Sequence, residues 1–434
     1  MHFPENTEDV RRIVLEARER GTALVPASSG EPHFHGASEN SGAETVCFSK
    51  MNRILKMDRR GRYVRVEPGV TFGELIPKLA EQGMRLNLPF LARANKSVVA
   101  SALEKETVTI PKYQYDYTDP LLTVETVFGT GEVFRTGSAA GPGTPEENKA
   151  DMVMPWGPGT IDYLRFLCAS QGTLGLVTWG TLKTEVLPKV SGLFFVESAS
   201  AEPLTRLGAT LLLRRIPDEC VILDRKDFSA AFSDDEAERE ILSRIAPWVM
   251  LCRVCGFDRY PEERFEIYRG YLEDACTEAG LTLRTSLGLP PELEARIEKR
   301  LTDCDRRTES WKLREGACRD ILTTVPPSRA SAVLELLRRD FPDAGFTVLP
   351  QVLGRAFRIE CDLFLDNVPD VLKETDERIF RAQQELLDAG AVFERPYRRL
   401  KELVYTDATA TDAMRRLKRI FDPDNVLNPG RLCF

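Results

Sequence analysis

The chain has 434 residues, of which 42% are hydrophobic and 29% charged, with a formal net charge of −8. That length calls for two domains, or one large domain with a cap, and the apolar share can fill a core. The acidic balance excludes a nucleic-acid surface, which needs a basic patch; no apolar run of about 18 residues and no charged-then-apolar leader occurs, so neither a membrane span nor secretion is expected, and the cytoplasm is the expected location.

In chain order, Val10, Ile13, Val14 and Ala17 fall on one helical face, with Asn6 or Thr7 as N-cap and Gly21 as C-cap. Residues 23–26 read as a short strand and 27–40 as a loop, followed by strands at 46–48 and 62–70, the latter ending in a Pro-Gly turn. Thr71 or a neighbour caps a helix through Gln82. Segments 121–128 and 132–135 flank Gly129-Thr130-Gly131 as a hairpin, and 137–160, rich in Gly, Pro and acidic groups, is a long loop. A helix from 162 stops at a small turn containing Gly172 and Gly175, and a β-branched run starts at Leu176. Those glycines permit positive φ and close approach of another chain or a ligand.

From about 190 the pattern changes. Strand 193–196, helix 201–215, strands 219–223 and 248–256, helix 261–278 and strand 281–285 precede a second round: strand 320–324, helix 328–340, strands 346–350 and 356–364, helix 368–389. This is an α+β layout, one antiparallel sheet with helices on one face. The ten cysteines are expected to be reduced thiols. Cys252 and Cys255 form the only Cys-x-x-Cys; on a strand they point to opposite faces, which favours core packing over a metal.

The loop from Ser28, Ser29 and Gly30 to Gly36 follows a strand, and successive backbone N–H groups there can wrap a diphosphate; alone it is equally an ordinary surface loop. Three further segments join it: Lys50-Met51-Asn52-Arg53-Ile54-Leu55 before Val66-Glu67-Pro68-Gly69-Val70-Thr71, then Gly129 to Gly137, then the turn from Gly172 to Thr178. In this order and spacing, with the tail from Phe421 to Gly430, they resemble the PCMH-type FAD-binding domain of the vanillyl-alcohol oxidase and 4-cresol methylhydroxylase superfamily.

The resemblance implies an FAD-binding domain of two α+β subdomains at 1–188, an α+β cap with an antiparallel sheet at 189–389, and a segment at 390–434 that returns to the FAD domain. It assigns cofactor contacts to Ser28, Ser29, Gly30 and Gly36, to Ser97, Val98 and Ser101, and to Ser170, Gly172, Thr173, Gly175 and Val177. Glu31, Pro32 and Phe34 depart from the family loop, since proline lacks an N–H and a carboxylate repels a diphosphate. His33 or His35, if protonated, offsets part of that repulsion.

The segment from Gly390 to Arg398 resembles the family's Gly…Tyr-Arg element, which implies that Tyr397 binds a phenolate and Arg398 offsets negative charge on substrate or reduced flavin. The competing reading is a surface cluster of Arg395, Arg398 and Arg399. Tyr113, Tyr115 and Tyr117 share one face of an extended segment. The family's substrate-binding tyrosine falls on Tyr113; a core aromatic ladder is the alternative. Asp116 or Asp119 could act as a base, while the family's catalytic aspartate is expected near 143–147, where only Glu146 and Glu147 stand.

Histidine occurs only at 2, 33 and 35, which disfavours a metal-assisted hydroxy-acid mechanism, excludes histidyl attachment from the cap, and leaves noncovalent FAD as the expectation. The implied activity is hydride transfer from a small phenolic or aromatic alcohol or alkyl group to flavin N5. The alternatives are a 2-hydroxy acid clamped by Arg395 or Arg398, or a non-catalytic, electron-relay subunit with a degenerate FAD site. Expected partners are the substrate, an electron-acceptor subunit and a second copy of the chain.

Overall fold

The computed structural model describes residues 1–32, 42–109, 120–147, 154–351 and 355–434. Helix α1 (Thr7–Arg20) starts where the Asn6 side chain accepts the Asp9 N–H and stops at Gly21, whose φ of 63° closes the last turn. Its buried face is Val10, Ile13, Val14 and Ala17, as the spacing requires. It packs beside a parallel pair, β1 (Leu24–Ala27) and β2 (Glu44–Cys47).

A second sheet takes β3 (Ile54–Asp58), β4 (Tyr63–Val66), β5 (Met84–Leu86), β6 (Leu121–Val127), β7 (Val133–Arg135) and β8 (Leu176–Val186). Their order is β3-β4-β8-β6-β7, with β5 also paired to β8. Helix α2 (Phe72–Glu81) begins with a Thr71–Glu74 capping box. With the short helices α3 (Val98–Leu103) and α4 (Leu164–Leu167), it buries this sheet's apolar face.

The third sheet is antiparallel throughout. It is built from β9 (Val190–Ser198), β10 (Glu219–Asp224), β11 (Trp248–Gly256), β12 (Leu283–Arg284), β13 (Ala317–Val325), β14 (Gly345–Gln351) and β15 (Ala356–Leu365), in the order β12-β9-β11-β10-β14-β15-β13. The expectation of helices on one face fails. Helices α5 (Ala201–Leu213), α8 (Pro261–Glu278), α10 (Pro327–Asp340) and α11 (Pro369–Asp388) cover one face, but α6 (Arg225–Phe232), α7 (Glu236–Leu242) and α9 (Pro291–Thr302) pack on the other. The cause is visible in β10, every residue of which is buried. Cys220 and Ile222 join the first core, Val221 and Leu223 join Phe228, Phe232, Leu293 and Ile297 in the second, so neither face can stay wet. Cys252 lies in the first core, 3.9 Å from Cys220, and the cysteines are free thiols.

Helices α12 (Leu400–Val404) and α13 (Ala408–Phe421) carry the chain back to the first lobe. There the Leu24 N–H donates to Val426 at 2.7 Å and the Asn428 N–H donates to Leu24 at 2.8 Å, so the tail runs as a bridge alongside β1. None of the described helices is long and apolar enough to cross a membrane.

Candidate active site

A cavity of ≈ 470 Å³ opens between the second and third sheets. One wall is the end of β1 with Ser28 and Ser29, the turn 169–177, and Asn428 from the tail. The facing wall is the third sheet's Asp320 and Glu360 with Trp311 and Lys312, and the segment from Arg395 to Leu400 closes one end.

The turn has its shape because its glycines leave no room. Gly172 has φ +71°, and a Cβ there would stand 2.4 Å from Cγ of Pro26; at Gly175 it would stand 2.3 Å from Oγ1 of Thr126. Side chains pin the rest. The Ser170 hydroxyl donates to Leu167 O (2.8 Å) and the Thr173 hydroxyl to Ser170 O (2.7 Å). Gln171 Nε2 donates to Pro396 O (3.1 Å) and Asn428 Nδ2 to Gln171 O (2.7 Å), which joins turn, tail and the 395–400 segment.

Of the residues expected from sequence, Ser28, Ser29, Ser170, Gly172, Gly175, Val177, Tyr397 and Arg398 line this one cavity. Others stand just behind it. Gly30 packs against Asn95, donating its N–H to the Asn95 carbonyl at 2.9 Å. Ser97 caps α3, accepting the Ala100 N–H, and its own N–H donates to the Ser29 hydroxyl at 3.0 Å. Val98 is core, Ser101 donates to Glu106 at 2.6 Å, and the Thr173 carbonyl is taken by Lys418. These residues shape the wall without forming it. His33, Phe34, His35, Gly36, Tyr113, Tyr115, Asp116, Tyr117 and Asp119 lie outside the described residues. Glu146 pairs with Arg65 (3.0 Å) and Glu147 accepts the Thr144 N–H; neither lines the cavity.

The end of the cavity around Tyr397 is the most polar part, and sequence reasoning missed most of it. Lys96 lies 2.6 Å from Glu104 and 3.2 Å from Glu106. Burial alone would lower the Lys96 pKa, but these two carboxylates hold it above the ordinary lysine value. Burial alone would raise Glu106, yet Lys96, the Ser101 hydroxyl and Arg395 bring it down to about 2. Burial and the Glu104 charge push Tyr397 well above an ordinary phenol, so it carries its proton at neutral pH. Arg398 is anchored at 2.7 Å on Asp376, which also accepts from Arg319 at 2.8 Å. The Arg395 guanidinium, in contrast, has no hydrogen-bond or ion-pair partner among the described residues, and its Nε is buried. Lys96, Glu104 and Glu106 straddle a six-residue helix, and Lys312 and Glu360 come from a short 3-10 turn and a distant strand; no local spacing marks them as a set.

The walls fit FAD. Ser28 and Ser29 offer hydroxyls, Gln171 and Asn428 offer amides, and Asn428 Oδ1 is buried without a partner. Pro26, Val99, Leu176 and Val177 add flat apolar surface for a ring system.

Residues 1–137 match the "FAD binding domain" family and residues 401–432 match "FAD linked oxidases, C-terminal domain". Among characterised relatives, glycolate oxidase subunit GlcD of Bacillus subtilis is 23% identical over 99% of this chain and 87% of its own length. The 4-cresol dehydrogenase [hydroxylating] flavoprotein subunit of Pseudomonas putida is 26% identical over 50% of this chain and 41% of its own. Among solved structures, p-cresol methylhydroxylase with substrate bound aligns at a TM-score of 0.84 and 18% identity, covering 100% of this chain and 88% of that one. 4-Ethylphenol oxidase from Gulosibacter chungangensis aligns at 0.84 and 19%, covering 99% and 88%.

Proposed function

Since the chain is an FAD-linked oxidoreductase on the PCMH-type FAD-binding fold, we propose that it oxidises a small phenolic or aromatic alcohol or alkyl group whose oxygen is bound by Arg395 and Tyr397. The observation that supports this is the unpartnered Arg395 guanidinium at the cavity wall beside a tyrosine held in its protonated form. A guanidinium whose hydrogen bonds are unmade at a desolvated wall is costly even with the charges of Glu106 and Glu104 nearby, and an anionic substrate oxygen supplies the missing bonds.

Ser28, Ser29, the turn from Ser170 to Val177, and Asn428 would hold FAD noncovalently, and the bound flavin supplies the hydride acceptor. The remaining work belongs to the chain. Tyr397 donates a hydrogen bond to the substrate oxygen, and Arg395 favours its deprotonated form, the electron-rich state from which hydride leaves. Arg398, fixed by Asp376, places a second cation where negative charge develops. The apolar flanks exclude water. A separate acceptor subunit would take the electrons, an arrangement supported by the relative that is named as a flavoprotein subunit.

The second reading is a 2-hydroxy acid with its carboxylate on Arg395; the same unpartnered guanidinium supports it, as does the likeness to a glycolate oxidase subunit. Mixing the flavin-loaded protein anaerobically with 4-hydroxybenzyl alcohol, D-lactate and glycolate separates the two. Bleaching of the flavin absorption by the phenol alone supports the first reading. Bleaching by a hydroxy acid alone replaces it with the second, and no bleaching with flavin bound favours an electron-relay subunit.

A further inference from the structure

The third sheet carries another hollow, of ≈ 620 Å³ and more open, between α6, α7, the loop after Trp311 and the connection from α10 to β14. Arg225, Arg239, Arg314 and Arg338 line it, with Trp248 and Trp311 as flat walls. None of Tyr397, Arg395 or the serines of the flavin cavity belongs to it, although Trp311 lines both.

The cations here outnumber the carboxylates able to answer them. Asp224 is fully used: it takes Arg338 at 2.8 Å and the N–H groups of Asp227 and Phe346 at 2.9 and 3.0 Å. Arg314 donates to the Ser233 hydroxyl at 2.9 Å and reaches Asp234 only at 4.0 Å. That carboxylate is already paired with Arg296 and Arg300. Arg239 stands 3.5 Å from Glu236 and 4.0 Å from Glu315. Arg225 makes no side-chain hydrogen bond or ion pair with any described residue, and Nε of both Arg225 and Arg239 is buried without a partner. Burial, then the neighbouring charges of Arg307 and Arg239, pushes Arg314 below the usual arginine value, the sign of guanidinium groups crowding one another.

We propose that this hollow is a second ligand site, for a small molecule bearing a phosphate or carboxylate group. Two oxygens of a carboxylate or a phosphate match the guanidinium fork bidentately, and the indole walls suit an organic body behind it. Bound there, an anion answers Arg225 and Arg239 together, which no group among the described residues does.

The test is calorimetric titration of the flavin-loaded protein with inorganic phosphate and, separately, benzoate. The variants are R225Q/R239Q in the hollow and R395Q in the flavin cavity. The Arg225 side chain has no partner among the described residues, so R225Q alone should leave the fold intact and already weaken binding, while R239Q also removes longer contacts to Glu236 and Glu315; thermal midpoints of both variants verify their folding, and R225K should restore binding. Saturable binding of either probe that weakens about tenfold or more in R225Q/R239Q and persists in R395Q supports the site. Phosphate alone or benzoate alone then identifies the group. No saturable binding of either probe, or binding lost in R395Q and kept in R225Q/R239Q, overturns it.

Discussion

Lys418 and Asp422, one helical turn apart, form an ion pair at 2.6 Å with 4% and 1% of their surfaces exposed. Lys418 Nζ also donates to Thr173 O (2.6 Å) and Leu427 O (2.9 Å), while Asp422 accepts the N–H groups of Val426 and Leu427. One buried pair therefore fastens α13 to both the glycine turn and the tail. Removing one partner strands the other, so Lys418→Met should cost about 3–5 kcal/mol of stability. Urea unfolding measures it, and an unchanged midpoint would show that the pair is not closed in solution. Flavin retention should fall with stability, because Thr173 and Asn428 frame the cavity wall.

Tyr397→Phe keeps the ring and removes the donor. If the hydroxyl binds the substrate oxygen, kcat should fall about 10²–10³-fold while the bound-flavin spectrum is unchanged. Arg395→Met should raise KM as well. Equal turnover in wild type and Tyr397→Phe would remove this tyrosine from the reaction.

Asp376 holds Arg398 from one side and Arg319 of β13 from the other. Asp376→Asn keeps the shape but weakens two charged contacts, each worth about 1.5–3 kcal/mol. We expect kcat/KM to fall about tenfold or more, and Arg398→Lys to resemble it, since lysine cannot reproduce the planar fork. Steady-state kinetics with the preferred substrate checks both.

Asp362 is fully buried next to Lys312, at 2.7 Å. Burial raises its pKa; Lys312 opposes this, Glu360 and Asp320 add to it, and the result is about 8. An unfolded aspartate titrates near about 3.9, so between those values the folded state holds the extra proton. Stability is then full below about pH 4 and declines as pH rises through about 8. Asp362→Asn cannot lose a proton and should flatten that decline. Unfolding midpoints from about pH 5 to about pH 9 compare the two; parallel profiles would refute the assignment.

The legible parts were those set by short-range rules. Asn6 and Gly21 marked the ends of α1, and Gly172 and Gly175 marked a turn that does line the cavity. The helices α6, α7 and α9 escaped notice because they are short or densely charged. Their apolar contacts, such as Phe228 and Ile297, make sense only once β10 is known to be buried on both faces. The polar end of the cavity was harder still. Lys96, Glu106, Arg395 and Lys312 meet only through tertiary structure, and sequence names Arg395 both as a carboxylate clamp and as one of several neighbouring arginines; its lack of a side-chain hydrogen-bond partner among the described residues sets it apart.

Synthesis order follows from the bridge between Leu24 and Leu427. The glycine turn leaves the ribosome with its wall unfinished, and the whole third sheet is made before Asn428 and Asp422 arrive to complete it. The N-terminal lobe must wait as a half-built cradle, with β1 offering an unpaired edge. We expect cofactor capture to wait for α13 and the segment after it, so a ribosome stalled before α13 should display a nascent chain that retains no FAD after washing.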